Sequence, residues 1–369
     1  MKTGKMVFAL VGALLAGTLV AGCGSSAPAP AAAPTAAPAA PKATTAPAAP
    51  QATTAPAAPQ ATTAPAAAQA TTAPAAQSAQ KLYIPMISKG FQHQFWQAVK
   101  QGSEQAAKDY NVTITFEGPE SESMVDKQIE MLQAALDKKP NAIGLAALDS
   151  KAAIPLLERA KAQKIPVIGF DSGVDSDIPV TTAATNNVAA AALAADKMAA
   201  LIGNEGEIAV IVHDQTSRTG IDRRDGFVNE IKQKYPKINI VDLQYGGGDQ
   251  LKSTDLAKAI MQAHPNLKGF FGANEGSAIG VLNGVKELKK EGKVVVIGYD
   301  SGQAQLDAVR SGVMAGAITQ NPIGIGYKSV EAGVKAIKGE TLPKTIDTGF
   351  FWYDKTNIDS KEIAPLLYK

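Results

Sequence analysis

The seven residues Val167-Ile168-Gly169-Phe170-Asp171-Ser172-Gly173 return, changed at one position, as Val296-Ile297-Gly298-Tyr299-Asp300-Ser301-Gly302. A second pair repeats alongside: Pro140-Asn141 runs through an apolar stretch to Asp149, and Pro265-Asn266 runs through another to Asn274, at an offset of 125 residues in both cases. One sheet does not require such repetition, so the chain from Lys81 onward is read as two lobes of one design. Short β-branched or apolar runs alternate there with helical patterns, the signature of parallel sheets covered on both faces. The fold expected is α/β, two similar doubly wound parallel-sheet lobes joined by a hinge.

The expected strands are Leu82 to Ile87, Val112 to Phe116, Ala142 to Ala147 and Pro166 to Phe170 in the first half. In the second they are Ile208 to Val212, Ile238 to Leu243, Leu267 to Phe271 and Val294 to Tyr299. The clearest helix is Met124 to Leu136, with an apolar stripe of Ile129, Leu132 and Leu136 beside Met131 and Ala135; Ser121 to Ser123 are expected to cap it. Ligands of open α/β sheets sit beyond the carboxyl ends of the strands, and the repeated polar residues stand there. If the lobes face each other, both sets point into one cleft.

The segment before Lys81 is of another kind. Lys2 and Lys5 precede an apolar run from Met6 to Val20 that is too short for a spanning helix and ends in Val20-Ala21-Gly22-Cys23, which reads as a lipoprotein signal peptide over 1–22 with Cys23 as the lipidated residue. Cys23 is the one cysteine in the chain, so no internal disulfide is available. Residues 24–80 are almost wholly Ala, Pro, Thr, Gln and Ser, with four tandem nonapeptides from Ala37 to Thr72. Such a segment cannot build a core, and at ~3.1 Å per residue in polyproline form it is a tether on the order of 100 Å or more. Its threonine pairs, such as Thr44-Thr45, are candidates for O-linked sugar on composition alone.

Charge and motifs exclude several functions. Setting aside Lys2, Lys5 and Lys42, the remaining 33 basic residues face 34 acidic ones with no basic stripe, which speaks against nucleic acid. His93, His213 and His264 have no metal spacing, so no metal or cofactor is expected. Neither a Walker A motif nor a G-x-S-x-G elbow is present, and the glycine runs Gly246-Gly247-Gly248 and Gly324-Ile325-Gly326 are expected to be turns. An enzyme is therefore not expected.

The strand ends instead collect groups suited to a hydroxyl-rich ligand: Asp171, Asn274 and Asp300, with Arg223 as a planar donor fork. Phe91, Phe95 and Trp96 around the first loop would cover the apolar face of a sugar ring. Each has a structural explanation too, since an Asp after a strand can form a cap or turn and an aromatic at a helix start can be core. The internal pairing of Asp171 with Asp300 favours the ligand reading.

These residues resemble the ribose-binding-like family of periplasmic sugar-binding proteins, substrate receptors of ABC importers. The resemblance covers Lys81 to Lys369. It rests on Phe95-Trp96 after the first strand, VIGFDSG and VIGYDSG, Thr185-Asn186-Asn187, Asp222-Arg223-Arg224-Asp225-Gly226-Phe227, the strand ending at Asn274, and Thr319-Gln320-Asn321-Pro322. It implies ligand contacts at His93, Phe95, Trp96, Asp171, Arg223, Asn274, Asp300 and Gln320. Lys89, Phe91 and Ser172 form a second rank; Lys89 is expected to be solvated, with contact to an acidic or strongly hydrated ligand as the alternative. The same resemblance implies hinges near Thr185, Gln320 to Asn321 and Thr348, hence one lobe of 81–185 with 321–348 and another of 186–320 with 349–369.

Two positions depart from the ribose-type pattern. Ser172 stands where an arginine often follows the first strand-end aspartate, and the loop Tyr245 to Gln250 offers glycines where an aromatic usually stacks. That loop and Phe116-Glu117-Gly118-Pro119 are more similar to the branch that includes autoinducer-2 and rhamnose receptors. The function implied is an extracytoplasmic, monomeric, lipid-anchored binding protein for a monosaccharide or sugar-like polyol, closing on it by a hinge and delivering it to the permease and ATPase subunits of an ABC importer. The alternatives are a sensor presenting autoinducer-2 or a sugar to a chemoreceptor or kinase, and a surface carbohydrate hydrolase using Asp171 and Asp300 as its carboxylate pair.

Overall fold

The computed structural model describes residues 81–368. The signal peptide, Cys23 and the tether lie outside the described residues. The first half runs β1 (Tyr83–Ile87), α1 (Gln94–Asp109), β2 (Thr113–Glu117), α2 (Val125–Asp137), β3 (Ile143–Leu145), α3 (Ile154–Ala162), β4 (Val167–Phe170) and β5 (Thr181–Ala184). The second runs α4 (Asn187–Ile202), β6 (Gly206–Val212), α5 (Arg218–Lys234), β7 (Ile238–Tyr245), α6 (Gln250–Ala263), β8 (Leu267–Gly272), α7 (Glu275–Glu287), β9 (Val295–Tyr299), α8 (Gln303–Ser311) and β10 (Gly316–Gln320). Then follow α9 (Pro322–Ile337), β11 (Thr345–Asp347) and β12 (Phe350–Asp354).

Two six-stranded sheets result, ordered β11-β5-β4-β3-β1-β2 and β12-β10-β9-β8-β6-β7. All pairings are parallel except that of β12 with β10. The main chain passes between the sheets three times: after β5, after β10 and after β11.

Period-two alternation places the cores. Ile84 and Met86 pack toward α1 and α9 on one face of the first sheet, while Ile87 packs toward α2 and α3 on the other. Ala209 and Ile211 likewise face α6 and α7, whereas Ile208, Val210 and Val212 face α4 and α5. Strands covered on both faces read as continuous apolar runs, as β1, β3, β4, β6, β8 and β9 do, while β2 and β7, also expected, are half-buried edge strands.

The other four, β5, β10, β11 and β12, lie outside the eight expected. β5 (Thr-Thr-Ala-Ala) and β10 (Gly-Ala-Ile-Thr-Gln) are poor in β-branched apolar residues, and pairing with β4 and β9 decides their state.

Two local expectations are corrected. Ser121 to Ser123 do not cap α2: its N-cap is Met124, without a side-chain bond, and the Ser121 hydroxyl instead accepts from the Ser123 amide (3.2 Å). Gly324-Ile325-Gly326 is no turn but lies inside α9. A Cβ on Gly326 would stand 1.9 Å from the carbonyl oxygen of Val99 on α1, and one on Gly102 of α1 would stand 2.0 Å from that of Ile323. These glycines let two helices approach backbone to backbone. Gly246 to Gly248 do form a turn, with φ of 70° and 69° at Gly247 and Gly248.

Candidate functional site

The carboxyl ends of both sheets converge on one small buried cavity. The internal repeat is conformational as well as chemical. Asp171 ends β4 with φ 57° and Asp300 ends β9 with φ 79°, a left-handed turn that Asp tolerates better than most residues and that re-aims the carboxylate away from the strand line. The Asp171 amide donates to Ala183 of β5 (2.9 Å) and the Asp300 amide to Ile318 of β10 (2.6 Å), so each turn is fixed by the neighbouring strand.

All eight first-rank residues line this cavity. From the first lobe come His93, Phe95, Trp96 and Asp171; from the second, Arg223, Asn274, Asp300 and Gln320. Phe95 and Trp96 enter at the start of α1, ring centroids 5.0 Å apart and edge to face, and the Trp96 indole donates to Glu122 (2.7 Å). Arg223 is 3 % exposed and held on three sides. Its Nε donates to Asn187 Oδ1 (2.8 Å), Nη1 donates to the Ala273 carbonyl (2.9 Å), and the guanidinium lies 3.7 Å from the centroid of the Tyr299 ring. Asp300 Oδ1 accepts from Gln320 Nε2 (2.7 Å) and Oδ2 from the Glu275 amide (2.9 Å), with Arg223 Nη1 at 4.0 Å.

Several polar groups at the cavity are without a partner among the described residues. Both ring nitrogens of the buried His93 make no hydrogen bond, nor does His213 Nδ1. Buried polar atoms are rarely left so, and a ligand carrying both donors and acceptors satisfies such a set.

The second rank divides. Lys89 is not solvated: it is 2 % exposed, its Nζ donates to Thr219 Oγ1 of the other lobe (3.0 Å), and it stands 3.8 Å from Glu122 and 3.9 Å from Asp214. The carboxylates repay part of its desolvation. Phe91 packs edge-on against Phe116 (5.9 Å) and Ser172 is fully buried, its hydroxyl unpartnered; neither lines the cavity.

Glu122, His213 and Thr219 line the cavity and were not singled out in the sequence. His213 directly follows β6, so the strand-end rule that selects Asp171 selects it too. Glu122 sits in the serine segment read as a helix cap, and nothing local signals that it faces the cleft.

Burial sets the charge states. Desolvation pushes the Asp171 carboxyl up to about 6, against the pull of Lys89 and Arg223. Glu122 resists desolvation because Lys89 lies beside it, and is held down at about 2. His213 is held well below the usual 6.5, by burial first and Lys89 next, and stays neutral. The signs oppose. The unfolded chain protonates His213 below about 6.5 and the folded one does not, so stability is lost as pH falls through that value; Asp171 is protonated first in the folded state, so stability is gained between about 6 and 3.8. Urea denaturation between pH 6 and 5 is expected to show Asp171→Asn losing stability on acidification relative to wild type by up to about 1.4 kcal/mol per pH unit. His213→Gln is expected to gain over the same interval. Parallel curves for all three proteins would refute these charge states.

The comparisons agree with this architecture. Residues 84–341 match the family model described as the periplasmic binding protein domain. The D-allose-binding periplasmic protein of Escherichia coli (strain K12) is 29% identical over 267 residues, spanning 70% of this chain and 86% of that protein. A solute binding protein from Agrobacterium vitis with bound D-fucose is 35% identical with a TM-score of 0.76, covering 78% of this chain and 100% of that one. A carbohydrate transporter solute binding protein from Agrobacterium radiobacter, in complex with D-arabinose, is 32% identical with a TM-score of 0.76, covering 79% and 100%. With twin parallel sheets meeting at one polar cavity and a family match over most of its length, the chain belongs to the periplasmic binding protein domain family.

Proposed function

We propose that the chain is the extracytoplasmic substrate-binding component of an ABC importer and takes a neutral monosaccharide into the cavity between its lobes. The observation that carries this is the composition of the cavity wall. An aromatic pair, Phe95 and Trp96, stands with carboxylates, two amides and a guanidinium drawn from both lobes. Hydroxyls bond to the polar groups and the apolar ring face meets the aromatics. The ligand contacts are His93, Phe95, Trp96, Asp171, Arg223, Asn274, Asp300 and Gln320, with Lys89 as a cationic corner. The lobes, 81–185 with 321–348 and 186–320 with 349–369, rotate about the three crossings and close over the sugar.

The sugars bound by the relatives, among them D-allose, D-fucose and D-arabinose, set the range to test. A thermal-shift screen of pentoses, hexoses, deoxy sugars, polyols and autoinducer-2 is expected to find at least one neutral sugar that raises the melting temperature, since a ligand of the folded state alone stabilises it. No shift with any of them would remove this reading, and recovery of an altered sugar would replace it with catalysis.

Anchoring by a lipid on Cys23 is the second part of the proposal, supported by Val20-Ala21-Gly22-Cys23. Cys23→Ser is expected to move the protein from the membrane to the soluble fraction of the producing cells and to abolish labelling by radioactive palmitate; unchanged labelling would sink the anchor.

A further inference from the structure

The start of α1 lacks a cap of its own. His93 at the N-cap makes no side-chain bond to the helix, so its first amides need another acceptor. They find one on the opposite lobe. Glu275, the first residue of α7, accepts from the Gln94 amide at Oε1 (3.1 Å) and from the Phe95 amide at Oε2 (3.2 Å). A carboxylate at a helix N-terminus also meets the positive end of its dipole.

Neighbouring contacts reinforce the junction. Gln94 Oε1 accepts from the amide of Gln303 in the second lobe (2.7 Å). The Tyr368 hydroxyl stands 3.4 Å from Glu275 Oε2, and its ring meets Phe95 edge to face at 6.0 Å. Gly302 leaves the necessary room, since a Cβ there would stand 2.8 Å from Glu275 Oε1 and 3.1 Å from Gln94 Oε1. Glu275 is 3 % exposed and does not line the cavity, yet its own amide donates to Asp300 Oδ2 (2.9 Å).

We propose that Glu275 is a closure latch: by capping α1 of the opposite lobe only when the lobes meet, it sets how long the sugar is retained without touching it. This rests on the binding reading above. When the lobes separate, the Gln94 and Phe95 amides and the carboxylate all return to water, so these bonds favour the closed state alone. Glu275 is thus a positioning residue. The open form captures the ligand, so the entry rate is insensitive to the latch, while escape requires the latch to break.

The test uses the full-length chain in detergent and a sugar identified by screening, with entry and escape rates read by stopped-flow tryptophan fluorescence. Glu275→Ala is expected to raise the escape rate about tenfold, as suits hydrogen bonds to a charged group, and to leave the entry rate within about twofold. Gln94→Ala alters an exposed side chain that does not threaten folding, and is expected to raise escape about threefold. Unchanged escape rates in both variants, or a loss confined to entry, would overturn the latch. Failure of wild type to bind any sugar would instead defeat the binding reading. The latch, which acts only on a retained sugar, would fall with it.

Discussion

Replacing Asp300 with alanine is expected to weaken sugar binding by roughly 10- to 150-fold in calorimetric titration, the equivalent of about 1.5–3 kcal/mol for a buried hydrogen bond to a charged group. Two donors converge on this carboxylate, Gln320 Nε2 and the Glu275 amide, and the Arg223 guanidinium stands 4.0 Å away. Its removal leaves Arg223, 3 % exposed, with less compensation for its charge. Alanine also fits poorly at φ 79°, where a residue without a polar side chain loses about 1–2 kcal/mol. Asp300→Asn separates the two effects, because asparagine tolerates this conformation while losing the charge. It is expected to lower the melting temperature less than alanine does, although its NH2 cannot replace one of the two accepting oxygens, and to bind about tenfold more weakly. Wild-type affinity in both variants would remove Asp300 from the site. The same titration on Arg223→Ala is expected to show at least a tenfold loss, since the side chain is already oriented by Asn187, Ala273 and Tyr299.

The largest effect on stability is expected at Gly326. A Cβ there would sit 1.9 Å from a main-chain carbonyl of α1 and 2.8 Å from the Ser103 amide, and no rotamer change relieves a clash with backbone. Alanine for glycine inside a helix gains up to about 1 kcal/mol from propensity. Forcing α1 and α9 apart costs more, because the shift opens the core around Ile84, Val99 and Ile325; about 3 kcal/mol net is expected, at the upper end for overpacking. For a domain of this size that is a fall in melting temperature of roughly 6 to 12 °C. Sugar affinity should fall with it, since α1 also carries Phe95 and Trp96. A melting temperature equal to or above wild type would mean that propensity wins and that the helices do not approach as closely as described.

The two predictions differ in how far the sequence alone reaches them. Asp300 is found by comparing the chain with itself, because VIGFDSG and VIGYDSG put an aspartate at equivalent strand ends. Gly326 is not found that way. In the sequence Gly324-Ile325-Gly326 is as compatible with a turn as with a helix contact, and only the carbonyl of Val99, more than 200 residues earlier in the chain, distinguishes them.

Lys89 gives the same lesson for the site. A lysine in a loop is solvated by default, and its burial depends on Thr219 and Asp214 from the facing lobe.

Sequence by itself determined what is periodic or repeated: eight strands, six of them interior to their sheets, the twofold internal design, and the polar strand ends Asp171, Asn274 and Asp300. Tertiary structure decided what depends on a partner distant in the chain. That includes β5 and β10, whose weak propensities are overridden by neighbouring strands, the cavity positions of Glu122 and His213, and the capping of α1 by Glu275. The physical reason is that periodicity is written in a residue's near neighbours, whereas desolvation and charge compensation are properties of the whole shell around a side chain. In this protein that shell is completed only where the two lobes meet.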